Sequence, residues 1–288
     1  MAVNNSLVQR KTDTFSTFIT NDTIKRKINE IIGGNDGQRF ITSIISAVST
    51  NEALKDCEHS SILSAAMLGE SLKLSPSPQL GQYYMVPFND NKKGCKVAQF
   101  QLGYKGYIQL AIRSGYYKKI NVLAIKEGEL VNYNPLDEEL EVNLIEDEYE
   151  REQAETIGYY AMFEYHNGFK KSLYWSKAKM EAHALKYSKG YAAKKGYTFW
   201  EKDFDGMAFK TMLRQLISKW GIMSIELQNA VEKDMAVISE DGKAEYVDNV
   251  DFETDPKPER QEPDNAALDA EIVEMDAKND GQEDFFNN

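Results

Sequence analysis

The residues with the clearest chemical character are lysines and aromatic rings interleaved between residues 170 and 219. This segment has 12 basic and 4 acidic side chains, a net charge of +8. Single-strand nucleic-acid binding proteins use this mixture to follow phosphates and to stack bases. Alternatively, the lysines are solvated and the rings belong to the core. We assign Trp200 and Phe209 to the core, whereas both interpretations stay open for Tyr187 and Tyr191, which are predicted to lie in a loop. We expect contacts with nucleic acid from Lys186, Tyr187, Lys189, Tyr191, Lys194, Lys195 and Lys219.

The last strong helical pattern adds two cations, Lys210 and Arg214, spaced i, i+4. Its apolar stripe places both on the opposite, polar side of the helix. The stripe consists of Phe209, Met212, Leu213, Leu216, Ile217 and Trp220. Like charges at this spacing destabilise a helix by roughly 0.2–0.5 kcal/mol unless an anion compensates. Phosphate would compensate, so we expect Lys210 and Arg214 to contact a nucleic-acid backbone.

A second basic set surrounds a shorter predicted helix, from about residue 104 to residue 113. Its members are Lys105, Arg113, Lys118 and Lys119. Three glycines lie in the same stretch, and glycine lets the backbone approach a ligand closely. We therefore expect Gly103, Gly106 and Gly115 to permit such an approach.

The net charge of −12 would by itself argue against a nucleic-acid partner. Residues 235–288, however, hold 4 basic and 17 acidic side chains, a net of −13, which leaves +1 for the remainder. Within that remainder, residues 137–155 carry 10 carboxylates and a single basic side chain, Arg151. The rest has 29 basic and 19 acidic residues, a net of +10, which is compatible with phosphate binding.

Hydrophobic periodicity predicts an α+β fold with N-terminal helices and a small antiparallel sheet packed on a long helix. Three helices come first, the earliest capped at Asn21 or Asp22. The first strand that follows, residues 97–102, is predicted to be half-buried, because apolar and other residues alternate along it. The clearest hairpin spans residues 157–175 with a type I′ turn at Asn167-Gly168. The long helix is the one that contains Phe209.

The chain divides into a disordered N-terminus (1–13), one globular domain (14–238) and a disordered acidic tail (239–288). The tail has too little apolar surface to offset its ordering entropy. Within residues 264–277, apolar side chains at i, i+4, i+7 would allow one amphipathic helix to form on docking to a partner. A purely solubilising tail is the alternative.

The sequence lacks the motifs of several catalytic chemistries. No phosphate-loop sequence occurs, because Gly242-Lys243 is followed by Ala244, and ATP use is not expected. The three histidines are scattered, and the two cysteines suggest neither a disulfide framework nor a metal site. No apolar run reaches the roughly 18 residues of a membrane span. We expect a cytoplasmic protein without a membrane segment or a cofactor.

Two segments resemble the RecT family of phage recombinases. Residues 101–115, Gln-Leu-Gly-Tyr-Lys-Gly-Tyr-Ile-Gln-Leu-Ala-Ile-Arg-Ser-Gly, are similar to the family's signature segment. Residues 200–214, Trp-Glu-Lys-Asp-Phe-Asp-Gly-Met-Ala-Phe-Lys-Thr-Met-Leu-Arg, resemble its tryptophan-led segment and the helix that follows. The likeness continues in order over about residues 15–228, although Tyr107 and Ile112 depart from the expected pattern.

The resemblance implies a non-enzymatic protein that forms rings or helical filaments and anneals single strands of DNA in a basic groove without ATP. Lys105, Arg113, Lys210 and Arg214 would contact phosphates. No cofactor is expected, although magnesium would aid annealing through the DNA. The implied partners are single-stranded DNA, the annealed duplex intermediate, further copies of the chain, a phage exonuclease and the single-strand binding protein of a bacterial host.

Two other functions remain open. A passive single-strand binding protein would share the same composition. A metal-dependent nuclease would need paired carboxylates, which Glu127, Glu129 or the cluster Asp137–Glu141 could supply near strand ends. A solvated acidic loop is the simpler interpretation of these carboxylates.

Overall fold

The computed structural model describes residues 14–90, 93–196, 198–239 and 243–245. The predicted N-terminal segment 1–13 and the possible helix 264–277 lie outside the described residues, as does most of the acidic tail. What is described has the α+β class predicted from the sequence.

The described residues form α-helices, one 3₁₀ helix (Glu52–Asp56) and short strands. The helices are α1 (Phe15–Ile19), α2 (Asp22–Ile32), α3 (Gly34–Thr50), α4 (His59–Ser71), α5 (Tyr104–Arg113), α6 (Glu148–Gln153), α7 (Lys177–Tyr187), α8 (Lys189–Ala192), α9 (Phe199–Lys202), α10 (Phe204–Trp220) and α11 (Ile225–Glu232). The strands are β1 (Tyr83–Asp90), β2 (Cys95–Leu102), β3 (Tyr117–Lys126), β4 (Leu130–Asn134), β5 (Glu139–Val142), β6 (Thr156–Tyr165), β7 (Lys170–Ser176), β8 (Val237–Ile238) and β9 (Ala244–Glu245).

The structure confirms the prediction that helices precede the first strand. The Asn21 side chain accepts a hydrogen bond from the Thr23 amide at 3.0 Å, so α2 begins at the predicted cap. The helices α3 and α4 follow, and their buried apolar faces join the main core. Helix α1 was not predicted from the sequence.

Strands β1 and β2 form an antiparallel hairpin that packs on α4. The prediction that the strand at residues 97–102 is half-buried is wrong, because residues 97–100 are all buried. The segment after α11 lies against this strand: the Phe100 amide donates to the Ala236 carbonyl at 2.9 Å, and the Met235 amide donates to the Phe100 carbonyl at 2.8 Å. Helix α4 and this late segment therefore enclose β2.

A second, three-stranded antiparallel sheet has the order β3-β6-β7. Alternate residues of β6, from Tyr159 to Tyr165, are buried, and α10 packs on the sheet. The β6–β7 hairpin is confirmed, but its turn is not type I′. That turn needs positive φ at both central residues, whereas Gly168 has φ 86° and Asn167 is not in the left-handed region. The Asn167 side chain instead accepts from the Phe169 amide at 3.0 Å.

Residues 127–155, called the acidic arm below, leave the sheet between β3 and β6 and contain β4, β5 and α6. The arm is closed at its neck, where the Glu127 amide donates to the Glu155 carbonyl at 2.8 Å. Glu129 is fully buried and accepts from Arg151 Nε at 2.6 Å and Nη2 at 3.1 Å. Burial alone would raise the Glu129 pKa, but Arg151 and two backbone amides outweigh it and hold the pKa below its ordinary value.

The carboxylates considered for a nuclease therefore differ in their surroundings. Glu129 serves as the internal anchor of the acidic arm, while Asp137 and Glu139 are exposed. Over residues 14–90, 93–196, 198–239 and 243–245, the structure contains no group of three His, Cys, Asp or Glu side chains suited to a metal ion.

The C-terminal part of the domain extends across the predicted boundary at residue 238. Ala236, Val237 and Ile238 are buried, and β8 pairs with β9 through Val237↔Glu245 and Ile238↔Ala244. This strand pair includes residues that the sequence analysis assigned to the tail.

Candidate nucleic-acid interface

The two segments that resemble the RecT family meet at one buried carboxylate, Asp234. Its Oδ1 accepts from Lys210 Nζ at 2.9 Å, and its Oδ2 accepts from Arg214 Nη1 at 2.9 Å. The first segment reaches the same side chain, since the Leu102 amide donates to Oδ1 at 2.9 Å and the Tyr107 hydroxyl donates to Oδ2 at 3.4 Å. Asp234 thus joins β2, α5 and α10.

This arrangement corrects the placement of Lys210 on a solvated face. Its side chain is 7% exposed, that of Arg214 is 23% exposed, and Asp234 is fully buried. Burial lowers the Lys210 pKa, and the neighbouring Asp234 opposes that shift. The anion that compensates the charges of Lys210 and Arg214 is therefore Asp234, a carboxylate of the same chain.

The glycines of the first segment also have internal roles. A Cβ added to Gly103 would lie 2.1 Å from the Gly81 carbonyl oxygen, and one added to Gly106 would lie 2.1 Å from the Gln82 carbonyl oxygen. Both glycines therefore allow α5 to pack on the backbone before β1, contrary to the expectation of ligand approach. Gly115 has φ 75° and open space around it, and it follows the end of α5.

Five of the predicted lysines lie at the ends of α5, α7, α8 and the loop before α9. The α5–α9 surface is defined by these exposed lysines and the rings beside them: Lys105, Lys186, Lys189, Lys194, Lys195, Tyr84, Tyr104, Tyr187, Tyr191 and Phe199.

Ring contacts connect the two halves of the α5–α9 surface. The rings of Tyr84 and Phe199 are 5.6 Å apart between centroids, which places β1 beside α9. Tyr104, at the start of α5, contacts the ring of Phe209 at 5.5 Å, and Lys105 Nζ lies 5.9 Å from the Tyr104 centroid. The first turn of α5 is thereby fixed next to the start of α10.

Tyr187 and Tyr191, which the sequence analysis assigned to a loop, lie at the end of α7 and in α8, and both are half-buried. Tyr191 packs against the buried ring of Trp200 at 6.3 Å and against Phe204 at 6.2 Å, so part of its ring belongs to the core. Tyr187 lies 4.5 Å from the His183 ring and below Lys186 Nζ, which is 5.0 Å from its centroid. Burial, followed by the charges of Lys186 and Arg214, lowers the His183 pKa to about 4.

Tyr84 was missed by the sequence analysis, whereas Phe199 lies in the predicted segment of interleaved lysines and rings. Tyr84 lies on β1, far in sequence from the basic segment, and only the fold brings its ring to Phe199.

Three other predicted lysines lie at the opposite end of α10, around Trp220. The Trp220 surface is defined by the side chains Lys118, Lys119, Lys170, Lys171, Lys219, Phe169 and Trp220. Lys171 Nζ lies 4.2 Å and Lys219 Nζ 5.6 Å from the Trp220 ring centroid. Because α10 rises about 1.5 Å per residue, Phe204 and Trp220 are roughly 24 Å apart along the helix.

Two of the lysines at the Trp220 surface are partly neutralised. Lys118 Nζ lies 2.5 Å and Lys119 Nζ 3.7 Å from the two carboxylate oxygens of Glu164. The predicted set thus divides between two surfaces rather than lining one groove.

Arg113 belongs to neither surface. Its guanidinium donates to the Leu72 carbonyl at 2.6 Å and to the Lys73 carbonyl at 3.4 Å, at the end of α4. Along α5 it lies roughly 12 Å from Lys105, at about 1.5 Å per residue. The structure therefore shows Arg113 binding backbone carbonyls that α4 leaves without helical partners.

The basic and aromatic surfaces, on an α+β domain joined through Asp234, are features of a nucleic-acid-binding protein. The sequence model of the RecT family matches residues 38–249. The chain belongs to the RecT family. Membership supports a role in DNA recombination by single-strand annealing and implies DNA binding.

Two curated proteins are similar over most of the chain. Protein RecT of Escherichia coli (strain K12) is 33% identical over 202 residues, which cover 68% of this chain and 71% of that protein. Uncharacterized protein YqaK of Bacillus subtilis (strain 168) is 40% identical over 241 residues, covering 84% of this chain and 77% of that protein. No helix among the described residues has the length and apolar character needed to span a bilayer.

Proposed function

We propose that the chain binds single-stranded DNA along the α5–α9 surface and pairs complementary strands without ATP or any catalytic step. One observation carries this proposal: the ring of Tyr84 on β1 contacts that of Phe199 on α9, with Lys105 of α5 beside Tyr84 and with Lys194 and Lys195 in the segment just before Phe199. Over the part of the chain that the structure describes, Lys105, Lys189, Lys194 and Lys195 have no carboxylate within salt-bridge distance. They remain available for phosphates.

The mechanism follows from charge. Two strands repel each other through their phosphates, and lysines that hold one backbone reduce that repulsion. Phosphate contacts carry no sequence information, so the bases stay free to test a second strand by pairing. The half-buried rings of Tyr84 and Tyr104 could stack on bases without sequence preference.

The remaining expectations are part of the same proposal. The chain would act as an oligomer in the bacterial cytoplasm, with magnesium acting through the DNA and without a bound cofactor. A phage exonuclease and the host single-strand binding protein would be its protein partners. The proposed DNA contacts exclude Lys210, because Asp234 already neutralises it inside the domain.

An annealing assay tests the function. Two complementary oligonucleotides are mixed with the protein and magnesium, without nucleotide, and duplex formation is followed by fluorescence. We expect faster pairing. Slower pairing would instead support a passive single-strand binding protein, and shortened products would support a nuclease.

A variant pair locates the function on the molecule. Lys189→Gln, Lys194→Gln and Lys195→Gln together remove three charges from the α5–α9 surface and should abolish the acceleration. The control, Lys25→Gln with Arg26→Gln and Lys27→Gln, removes the same charge from exposed positions on α2 and should leave the acceleration intact. Equal losses in both variants would contradict the assignment.

A further inference from the structure

We propose that α6 of the acidic arm binds the Trp220 surface of a second copy of this chain, so that copies join head to tail. This contact rests on the proposed function, because an oligomer that anneals strands requires a contact between its copies. The contact would account for two surfaces that the DNA-binding proposal leaves unused.

The α6 end of the arm is acidic and exposed. Glu146, Glu148, Glu150 and Glu152 are exposed, and none of them has a cation within salt-bridge distance over the described ranges. Glu148 and Glu152 lie at i, i+4, where like charges are unfavourable unless a cation compensates. Tyr149 stands between them with 72% of its surface exposed.

The arm holds this acidic end in a fixed position. Arg151, the one basic residue of α6, is directed inward to Glu129 and does not neutralise the exposed carboxylates. Its Nη2 also donates to the Ala124 carbonyl at 2.8 Å, which fixes α6 beside β3. A group that is already ordered loses less entropy when it binds.

The Trp220 surface has the complementary character. Among the described residues, its five lysines form salt bridges only with Glu138 and Glu164, so the surface with these two carboxylates has a net charge of +3. Trp220 is 42% exposed and Phe169 is 45% exposed, so an apolar centre lies within a cationic rim. An acidic helix with one exposed tyrosine matches that arrangement, because tyrosine is enriched at the centres of protein interfaces.

The geometry favours a second copy over contact within the same chain. Strand β3 runs from Tyr117, which contacts Tyr165 near Trp220, to Lys126 at the neck of the arm. At about 3.3 Å per residue, these ends are roughly 30 Å apart. The tip of the arm reaches Lys171 through Glu138, but α6 is fixed at the other end of β3.

Two different surfaces at opposite ends of one strand make a heterologous contact, which propagates into rings or helical filaments. DNA is the other candidate for the Trp220 surface. It would leave the carboxylates of α6 without a partner, because phosphates repel them. A second copy satisfies both surfaces at once, and the observations therefore favour it.

Charge reversal tests the contact. The arm variant carries Glu146→Lys, Glu148→Lys and Glu150→Lys; the surface variant carries Lys119→Glu, Lys170→Glu and Lys219→Glu. All six positions are exposed. Each variant alone would present like charges at both ends and should lose at least tenfold in self-association. Mixing the two variants pairs opposite charges again and should restore assembly.

Assembly is measured by mass photometry and sedimentation velocity, with and without a long oligothymidine strand, and circular dichroism confirms folding. Three results would overturn the proposal: a monomeric wild type under both conditions, assembly by either variant alone, or no recovery on mixing.

Binding to a short oligothymidine separates this test from that of the proposed function. The arm variant should still bind the short oligothymidine. A wild-type protein that assembles but does not bind oligothymidine would contradict only the DNA-binding proposal. Loss of oligothymidine binding by the surface variant, with its assembly unchanged, would assign the Trp220 surface to DNA instead.

Discussion

Replacing Lys210 by methionine should destabilise the whole domain, because it leaves the fully buried Asp234 short of one cation. Removing one partner of a buried ion pair costs about 3–5 kcal/mol. Arg214, the Leu102 amide and the Tyr107 hydroxyl still face the carboxylate, so we expect the lower end of that range, about 3 kcal/mol. Typical domains have only about 5–15 kcal/mol of stability. The variant should therefore unfold at clearly lower urea concentration.

The assay is equilibrium urea denaturation followed by circular dichroism, for Lys210→Met, Asp234→Asn and the double variant. The double variant should cost less than the sum of the single ones, because it leaves neither Lys210 nor Asp234 as an unpaired buried charge; only Arg214, which is 23% exposed, loses its anion. A phosphate contact at Lys210 predicts a different result: unchanged stability, with a salt slope for single-strand binding flatter by about 0.7. That result would refute the assignment of Lys210 to Asp234.

Two further predictions concern buried groups. Burial is the main reason that the pKa of His183 is lowered to about 4, so the unfolded chain takes up a proton at higher pH than the folded one. The free energy of unfolding should therefore fall as the pH drops from about 6.5 toward 4. Urea denaturation of His183→Phe should show a smaller decrease, and a pH dependence identical to that of wild type would show that His183 does not cause it. Gly106→Ala should cost about 1–3 kcal/mol, because its Cβ would meet the Gln82 carbonyl oxygen at 2.1 Å; a thermal melt equal to that of wild type would show that α5 can move away.

Much of the fold could be predicted because its signals are local. The Asn21 cap and the end of α5 at residue 113 both depend on residues that are close in sequence. The hairpin at Asn167-Gly168 was recognised from two residues, although the turn conformation differs from the expected one. Such features need no knowledge of distant contacts.

The candidate site was harder to predict because its decisive contacts are long-range. Charge spacing correctly indicated that Lys210 and Arg214 need an anion, but the anion comes from Asp234, after another helix. Gly103 likewise packs against residue 81 rather than a ligand. The apolar stripe defined one buried side of α10, whereas α5 and Asp234 cover a second side.

The most direct test of the central claim is the salt dependence of affinity for single-stranded oligothymidine. With Lys189→Gln, Lys194→Gln and Lys195→Gln together, three lost phosphate contacts at about 0.7 each should flatten the slope of log affinity against log salt by about 2. The α2 control variant should keep the wild-type slope. An unchanged slope in the first variant, or an equal change in both, would contradict the assignment of DNA binding to the α5–α9 surface.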